Sequence, residues 1–215
     1  MQDLTEEAGS EGCRELIGYY LLHTNDISVK AKFPISRTFA AGKMYPQAIK
    51  LAQEYVDVYS NEWIGWNMLG YCCNSINYSN EAINGYSNAV RLGDKDSYEP
   101  LAGVALKYGR ADVVRDIVPQ LMILKESKGA PQDHKINLLT ILTAYSMMDD
   151  KKDVFIETLK GEDMKQILKD DTVKKNIISG CAYFEDEDTT KDIAKIRQEV
   201  DSATSSTNSV SSPPR

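Results

Sequence analysis

Residues 66–90 read WNMLGYCCNSINYSNEAINGYSNAV, and the interpretation of this stretch decides the fold. It places two adjacent cysteines, Cys72 and Cys73, among tryptophan, tyrosine and small residues. Either the cysteines form a reactive or metal-binding site, or they belong to a pattern made by packing. The pattern has these members at helical spacing: Trp66, Leu69, Gly70, Ala82, Tyr86 and Ala89.

The sequence on both sides of this stretch also has a helical pattern. Apolar residues recur at the spacing of one helix face, and no alternating strand pattern persists. Helices are predicted over residues 13–23, 35–41, 46–58, 63–73, 81–92, 97–108, 111–125, 134–147, 153–160, 164–169, 172–183 and 190–200. We expect Pro34 to separate two helices, Pro119 to kink or restart one, and Ser79 to cap another. The predicted class is an all-α string of short antiparallel helix pairs.

The pattern W-x-x-L-G at residues 66–70, followed by A-x-x-x-Y-x-x-A at residues 82–89, resembles the tetratricopeptide repeat (TPR). That family repeats W-x2-L-G-x2-Y, then A-x3-F, then P, over about 34 residues. The chain departs from the family pattern at Cys73, where the family has tyrosine, and at Asp94, where it has proline. The resemblance covers about residues 33–160.

The resemblance implies a steric role for each member of the pattern. Trp66 and Leu69 fill the space between two helices. Gly70 and Ala82 lie where the helices come too close for a bulky side chain. Tyr86 is the aromatic residue that locks the pair against its neighbour.

Fainter copies of the pattern flank this unit. Ala48 lies 34 residues before Ala82, at the start of a predicted helix. Tyr98 lies 32 residues after Trp66 and is followed by Leu101 at the spacing of the first unit. The repeat therefore extends in both directions.

The resemblance implies a superhelical array of antiparallel helix pairs, a TPR-like α-solenoid, with a helical C-terminal cap. We predict a disordered N-terminus at residues 1–10 and the repeat array at 11–160. The cap is predicted at residues 161–201, and a disordered Ser/Thr/Pro-rich tail at 202–215.

In TPR arrays the first helix of each pair lines a concave groove, and the resemblance assigns the groove residues here. They are Arg37, Ile64, Asn67, Tyr71, Asn74, Glu99 and Leu106, with Phe33, Ala40, Gly103, Leu139 and Thr143 on the same faces. Tyrosine and asparagine together suit peptide recognition, because a rigid amphipathic ring accompanies an amide that can bond to a peptide backbone. We expect a protein or peptide partner.

The cysteines are expected to pack and not to react. Neighbours on a helix point about 100° apart, so Cys72 and Cys73 do not converge on one zinc ion, which needs about four ligands. His23 and His134 have no ligand-spaced partner, and no nucleophile–base pair can be proposed. We therefore expect no metal, no cofactor and no catalytic residue, and a protein that is not an enzyme.

The bulk composition excludes some classes of partner. With 25 basic and 32 acidic residues the net charge is −7, and no basic stripe accumulates, which argues against binding to nucleic acid. The apolar run at residues 16–22 is far shorter than the roughly 20 residues of a membrane span. The four cysteines lack the spacing of a disulfide framework, which favours a cytoplasmic location.

Two functions fit these observations. The first is a non-catalytic scaffold or adaptor that binds a partner's peptide or helix in the groove of a TPR-like array. The alternative is a helical accessory or regulatory region of a larger enzyme or membrane-anchored protein.

Overall fold

The structure is a computed structural model that describes residues 19, 23, 27–127, 129, 131–185 and 191–208. Within these residues the chain forms eleven α-helices and no β-strand, which confirms the predicted all-α class. The helices are α1 (Val29–Ala41), α2 (Tyr45–Val58), α3 (Trp63–Ser75), α4 (Ser79–Arg91), α5 (Tyr98–Lys107), α6 (Ala111–Lys125), α7 (Gln132–Met148), α8 (Lys152–Leu159), α9 (Met164–Ile167), α10 (Asp171–Tyr183) and α11 (Lys191–Asn208), and a 3₁₀ turn covers Lys95–Ser97.

The chain divides into two compact units, Met1–Tyr108 and Gly109–Arg215, which we call the first and second unit. The division falls between the helices predicted at 97–108 and 111–125. The predicted start of the cap at residue 161 lies inside the second unit.

In the first unit each helix from α1 to α5 packs against the next one along the chain, and α1 also contacts α3. This arrangement forms because every helix buries one face. One buried cluster contains Ile35, Phe39 and Leu51, and another contains Tyr55 and Leu69. The helices thus pack in adjacent pairs.

In the second unit α7 is the central helix, and α6, α8 and α10 pack against it. Helix α11 covers α8, α9 and α10. The core between them is apolar, with Phe155, Val173 and Ile177 completely buried.

The prediction that Pro34 separates two helices is wrong, whereas Pro119 lies inside a helix that has the predicted bounds of 111–125. Pro34 lies inside α1 and Pro119 inside α6, and both helices continue through them. A proline in a helix interior costs about 3 kcal/mol. The helices persist because buried residues on both sides, Phe33 and Ile35 in the first case, hold each half against the core.

Helix ends also differ from the prediction. Ser79 is the first residue of α4, and Tyr78 takes the N-cap position. The backbone of Asn77 is left-handed (φ 62°). It turns the chain so that the Tyr78 N–H donates to Cys73 O at 2.8 Å. Helix α4 therefore begins earlier than predicted.

The last helix enters the segment predicted to be a tail. Helix α11 continues to Asn208. Val200 and Ala203 lie in the core and stabilise this extension. The rest of that segment lies outside the described residues, as do the predicted N-terminal segment at 1–10 and all but two residues of the predicted helix at 13–23.

Among the described residues, none of the helices combines the length and the apolar character that crossing a membrane requires.

Candidate functional site

The site is built on α3, whose two faces differ sharply. One face carries Leu69, Gly70 and the two cysteines, which are buried. The other carries Ile64, Asn67, Tyr71 and Asn74, which are half-buried or exposed. Helix α3 is therefore fixed on one side and accessible on the other.

Small residues bring α3 and α4 very close together. A Cβ atom on Gly70 would lie 2.7 Å from the ring of Tyr86. A Cβ atom on Gly85 would lie 2.5 Å from the backbone N of Gly70. No real side chain fits at such distances, so the separation of the two helices depends on these glycines.

Sequence reasoning missed Gly85, although a signal was available. A glycine inside a helix costs about 1 kcal/mol relative to alanine, so one that lies next to a repeat-pattern residue such as Tyr86 is a candidate for close packing. The same holds for Gly65 at the start of α3, where a Cβ atom would lie 2.6 Å from Val56 Cγ1. Close approach to α2 on one side and to α4 on the other fixes the position of α3.

The other residues of the predicted repeat pattern lie mainly in the interior of the first unit. Trp66 is half-buried, and its indole N–H donates to Ser60 O at 2.9 Å across the turn between α2 and α3. Tyr98 is half-buried. The buried members are Ala48, Leu69, Gly70, Ala82, Tyr86, Ala89 and Leu101.

Cys72 and Cys73 lie on the buried face of α3. Burial raises the pKa of the Cys72 thiol to about 12 and that of Cys73 to about 11, because the interior disfavours a thiolate. Cys181 in the second unit is buried as well, and burial raises its pKa to about 11. At neutral pH these thiols are protonated and pack as small apolar groups.

Asn67 has a structural role that the sequence did not reveal. Its side-chain amide donates to Asp94 Oδ2 at 3.0 Å and to Ser97 Oγ at 2.8 Å, and Ser97 Oγ donates to Asp94 Oδ2 at 2.6 Å. Asp94 occupies the place where the TPR pattern has proline, and it is buried with Ser97. The network ties α3 to the turn that leads into α5.

Tyr71 is the most accessible aromatic side chain on the open face of α3, with 45% of its surface exposed. Its ring meets the ring of Tyr45 edge-on, with centroids 6.3 Å apart. Partial burial raises the pKa of the Tyr71 phenol, and the neighbouring Tyr45 raises it further. The phenol is therefore protonated and can donate a hydrogen bond. Asn74 lies one turn further along the same face and is half-buried.

The remaining residues assigned to the groove fall into two groups. Arg37 and Gly103 are exposed, and Glu99 and Leu106 are half-buried. By contrast, Phe33, Ala40, Leu139 and Thr143 are buried in the helix packing, and the expectation that they line an open face is wrong. Their helical positions were consistent with either face, and neighbouring helices cover the face that carries them.

A polar cluster at the C-terminal end of α5 was not predicted. Lys107 Nζ donates to Asn77 Oδ1 at 2.8 Å and lies 5.2 Å from the centre of the Tyr108 ring. The Tyr108 hydroxyl donates to the same amide oxygen at 3.3 Å. The left-handed backbone of Asn77 brings its side chain to this position. The cluster adds a polar, aromatic edge to the first unit.

The described residues contain no group of three or more histidine, cysteine, aspartate or glutamate side chains placed to hold a metal ion.

No protein-family model matches the chain, and a search of curated proteins finds no significant match.

Proposed function

We propose that helices α1–α5 form a TPR-like, non-catalytic scaffold that binds an extended peptide or a helix of a protein partner. The partner lies across the face made by α1, α3 and α5. The observation that carries this proposal is the difference between the two faces of α3. Its buried face is held by close helix contacts, while Tyr71 and Asn74 remain accessible on the other.

The chemistry of this face suits a peptide. The Tyr71 ring offers apolar area that Tyr45 supports from one side, so little conformational entropy is lost when a partner covers it. The Asn74 amide can donate to and accept from a peptide backbone. Arg37 on α1 and Glu99 on α5 add one charge of each sign, which can set the direction of a bound chain.

The cysteine chemistry supports a non-catalytic role. A cysteine nucleophile must be a thiolate and needs a lowered pKa, whereas burial raises the pKa of Cys72, Cys73 and Cys181. The Asn67 amide N–H groups bond within the unit, so we assign Asn67 to positioning α3 and not to direct contact with the partner.

The test is to select binding peptides from a random library displayed on phage and to measure their Kd for the purified protein by calorimetry. We expect Tyr71→Ala to weaken binding about 30-fold, since a central tyrosine contributes roughly 2 kcal/mol at such interfaces. Asn74→Ala is expected to weaken it about fivefold, the effect of one lost hydrogen bond.

The matched control is Tyr183→Ala, which removes a tyrosine that is 55% exposed on α10 of the second unit. It should leave the Kd unchanged. Peptides that bind Tyr71→Ala as tightly as the unmodified protein, while circular dichroism shows the variant folded, would refute the proposed face.

A further inference from the structure

A buried carboxylate in the second unit lies between two lysines. Glu162 Oε2 is 2.8 Å from Lys135 Nζ, and Glu162 Oε1 is 3.4 Å from Lys125 Nζ. Only 2% of the Lys125 side chain and 6% of the Glu162 side chain are exposed. Lys125 Nζ also donates to Thr158 O at 2.9 Å. The group joins the end of α6, the start of α7 and the segment after α8.

The charges in this group do not balance. Two ammonium groups share one carboxylate, and the contact of Lys125 with Glu162 is longer than an ordinary hydrogen bond. A buried charge is costly unless it is paired and fully hydrogen-bonded. An ammonium group has three donors, so Lys125 and Lys135 together have donor capacity that Glu162 and Thr158 O do not use up.

A polar cavity of about 450 Å³ opens beside these lysines. Its charged lining within the described residues consists of Lys125, Lys135, Lys160, Glu126 and Glu162, and Lys160 pairs with Glu157, which lies outside the lining. The group of Lys125, Lys135 and Glu162 carries an excess of one positive charge, in a chain whose net charge is −7. A cavity with polar walls and an uncompensated cation favours an anionic ligand.

The N-terminus of α7 adds to the positive potential. Gln132, the first residue of this 17-residue helix, lines the cavity. The residue before it is Pro131, whose side chain has no group that can cap the helix. The positive end of the helix dipole therefore borders the cavity and favours negative charge there, part of which Asp133 in the first turn already supplies.

We infer that this cavity is a binding site for a small oxyanion, the phosphate or carboxylate group of a small molecule, which Lys125 and Lys135 hold through charge-assisted hydrogen bonds. The anion supplies the second counter-charge that the two lysines need, and Glu162 keeps the lysines oriented when the site is empty. The site belongs to the second unit and is separate from the peptide-binding face proposed for α1–α5.

The experiment titrates the full chain with sodium phosphate and, separately, with sodium citrate, and follows the thermal unfolding midpoint. Sodium chloride at matched ionic strength is the reference. We expect a saturable rise of the midpoint with at least one oxyanion and none with chloride. Binding of phosphate alone assigns a phosphate group, binding of citrate alone assigns a carboxylate, and either result supports the site.

Lys135→Met tests the lysine directly. Lys135 is partly exposed, so the variant should fold, and it should weaken oxyanion binding at least tenfold by removing one charge-assisted hydrogen bond. The matched control Lys175→Met removes an exposed lysine of α10 that does not line the cavity and should leave binding unchanged. Glu162→Gln removes the competing carboxylate and should tighten binding severalfold.

Two results would overturn the inference. One is the absence of a saturable midpoint shift with both phosphate and citrate. The other is a shift of equal size in Lys135→Met and in the unmodified chain, which would show that the anions act on the whole protein surface. Since Lys135→Met decides the question, the inference stays testable even if Glu162→Gln does not fold.

Discussion

Two glycine contacts, one in each unit, hold their helices in different ways. In the first unit, a Cβ atom on Gly85 would meet the backbone N of Gly70 at 2.5 Å. In the second unit, a Cβ atom on Gly180 would meet the ring of Phe155 at 2.2 Å. A helix backbone cannot yield without moving the whole helix, whereas a ring can change its χ angles. The first contact sets the distance between two helices, and the second sets the position of one side chain.

The largest loss of stability is expected from disturbing the backbone contact in the first unit. Gly85→Ala should lower the free energy of unfolding of the first unit by about 3 kcal/mol, because α3 and α4 must separate. Gly180→Ala should lower that of the second unit by roughly 1–2 kcal/mol, because Phe155 can shift within its core. Urea unfolding measures both. Tryptophan fluorescence reports on the first unit, which contains both tryptophans, and circular dichroism reports on the whole chain.

Gly103→Ala is the control for these variants. A Cβ atom there has no neighbour within 4 Å among the described residues. The substitution should raise stability by about 0.5–1 kcal/mol through helix propensity alone. Equal losses for Gly85→Ala and Gly180→Ala would contradict the distinction between a backbone contact and a ring contact.

A smaller effect is expected where the first unit depends on hydrogen bonds. Asp94→Ala removes the acceptor that Asn67 and Ser97 share, and it should lower the free energy of unfolding by about 2 kcal/mol, since their donors stay buried. Asp94→Asn keeps one side-chain oxygen and should cost less than half as much. Urea unfolding followed by tryptophan fluorescence measures both variants. If Asp94→Ala unfolds like the unmodified protein, the network does not hold α3 to α5.

The smallest effect concerns an ion pair at the surface of the second unit. Asp149 accepts hydrogen bonds from Arg115 and from the Tyr145 hydroxyl, and Arg115, then Tyr145, lower the pKa of this carboxyl to about 2. The folded pKa lies below the unfolded value of about 3.9, so the contribution is complete above pH 4–5. It is lost as the pH falls from about 4 to 2.

Urea unfolding of the unmodified protein and of Asp149→Asn at several pH values measures this dependence. The variant should be slightly less stable at pH 6, and the difference should disappear near pH 2. A difference that does not change with pH would mean that the carboxylate charge contributes nothing. This ion pair in the second unit is therefore expected to contribute stability that depends on pH.

Most helix positions could be predicted from the sequence, because apolar spacing and turn residues act locally. The pattern of residues 66–70 and 82–89 also pointed to two closely packed helices. The error at Pro34 has a physical cause. The cost of a proline to a helix is local and can be read from the sequence. The core contacts that hold α1 on both sides of Pro34 involve residues distant in sequence.

The candidate face could be predicted only in part. The spacing of Ile64, Asn67, Tyr71 and Asn74 placed them on one face of α3, but only the structure shows that Asn67 bonds to Asp94 and Ser97. Likewise, Phe33 and Leu139 have helical positions like those of open-face residues. Their burial depends on which neighbouring helix covers them, and the period of a single helix does not contain that information.

The sequence by itself determined the all-α class, the approximate helix ends and the buried packing of Cys72 and Cys73, because these follow from periodicity and from the affinity of small apolar groups for the interior. Only the tertiary structure decided the close approach at Gly85, the Asp94 network and the meeting of Lys125, Lys135 and Glu162 beside a cavity. Each of these depends on distances between segments 15 to 37 residues apart in the chain. Such distances are set by how helices pack and not by the pattern along any one of them.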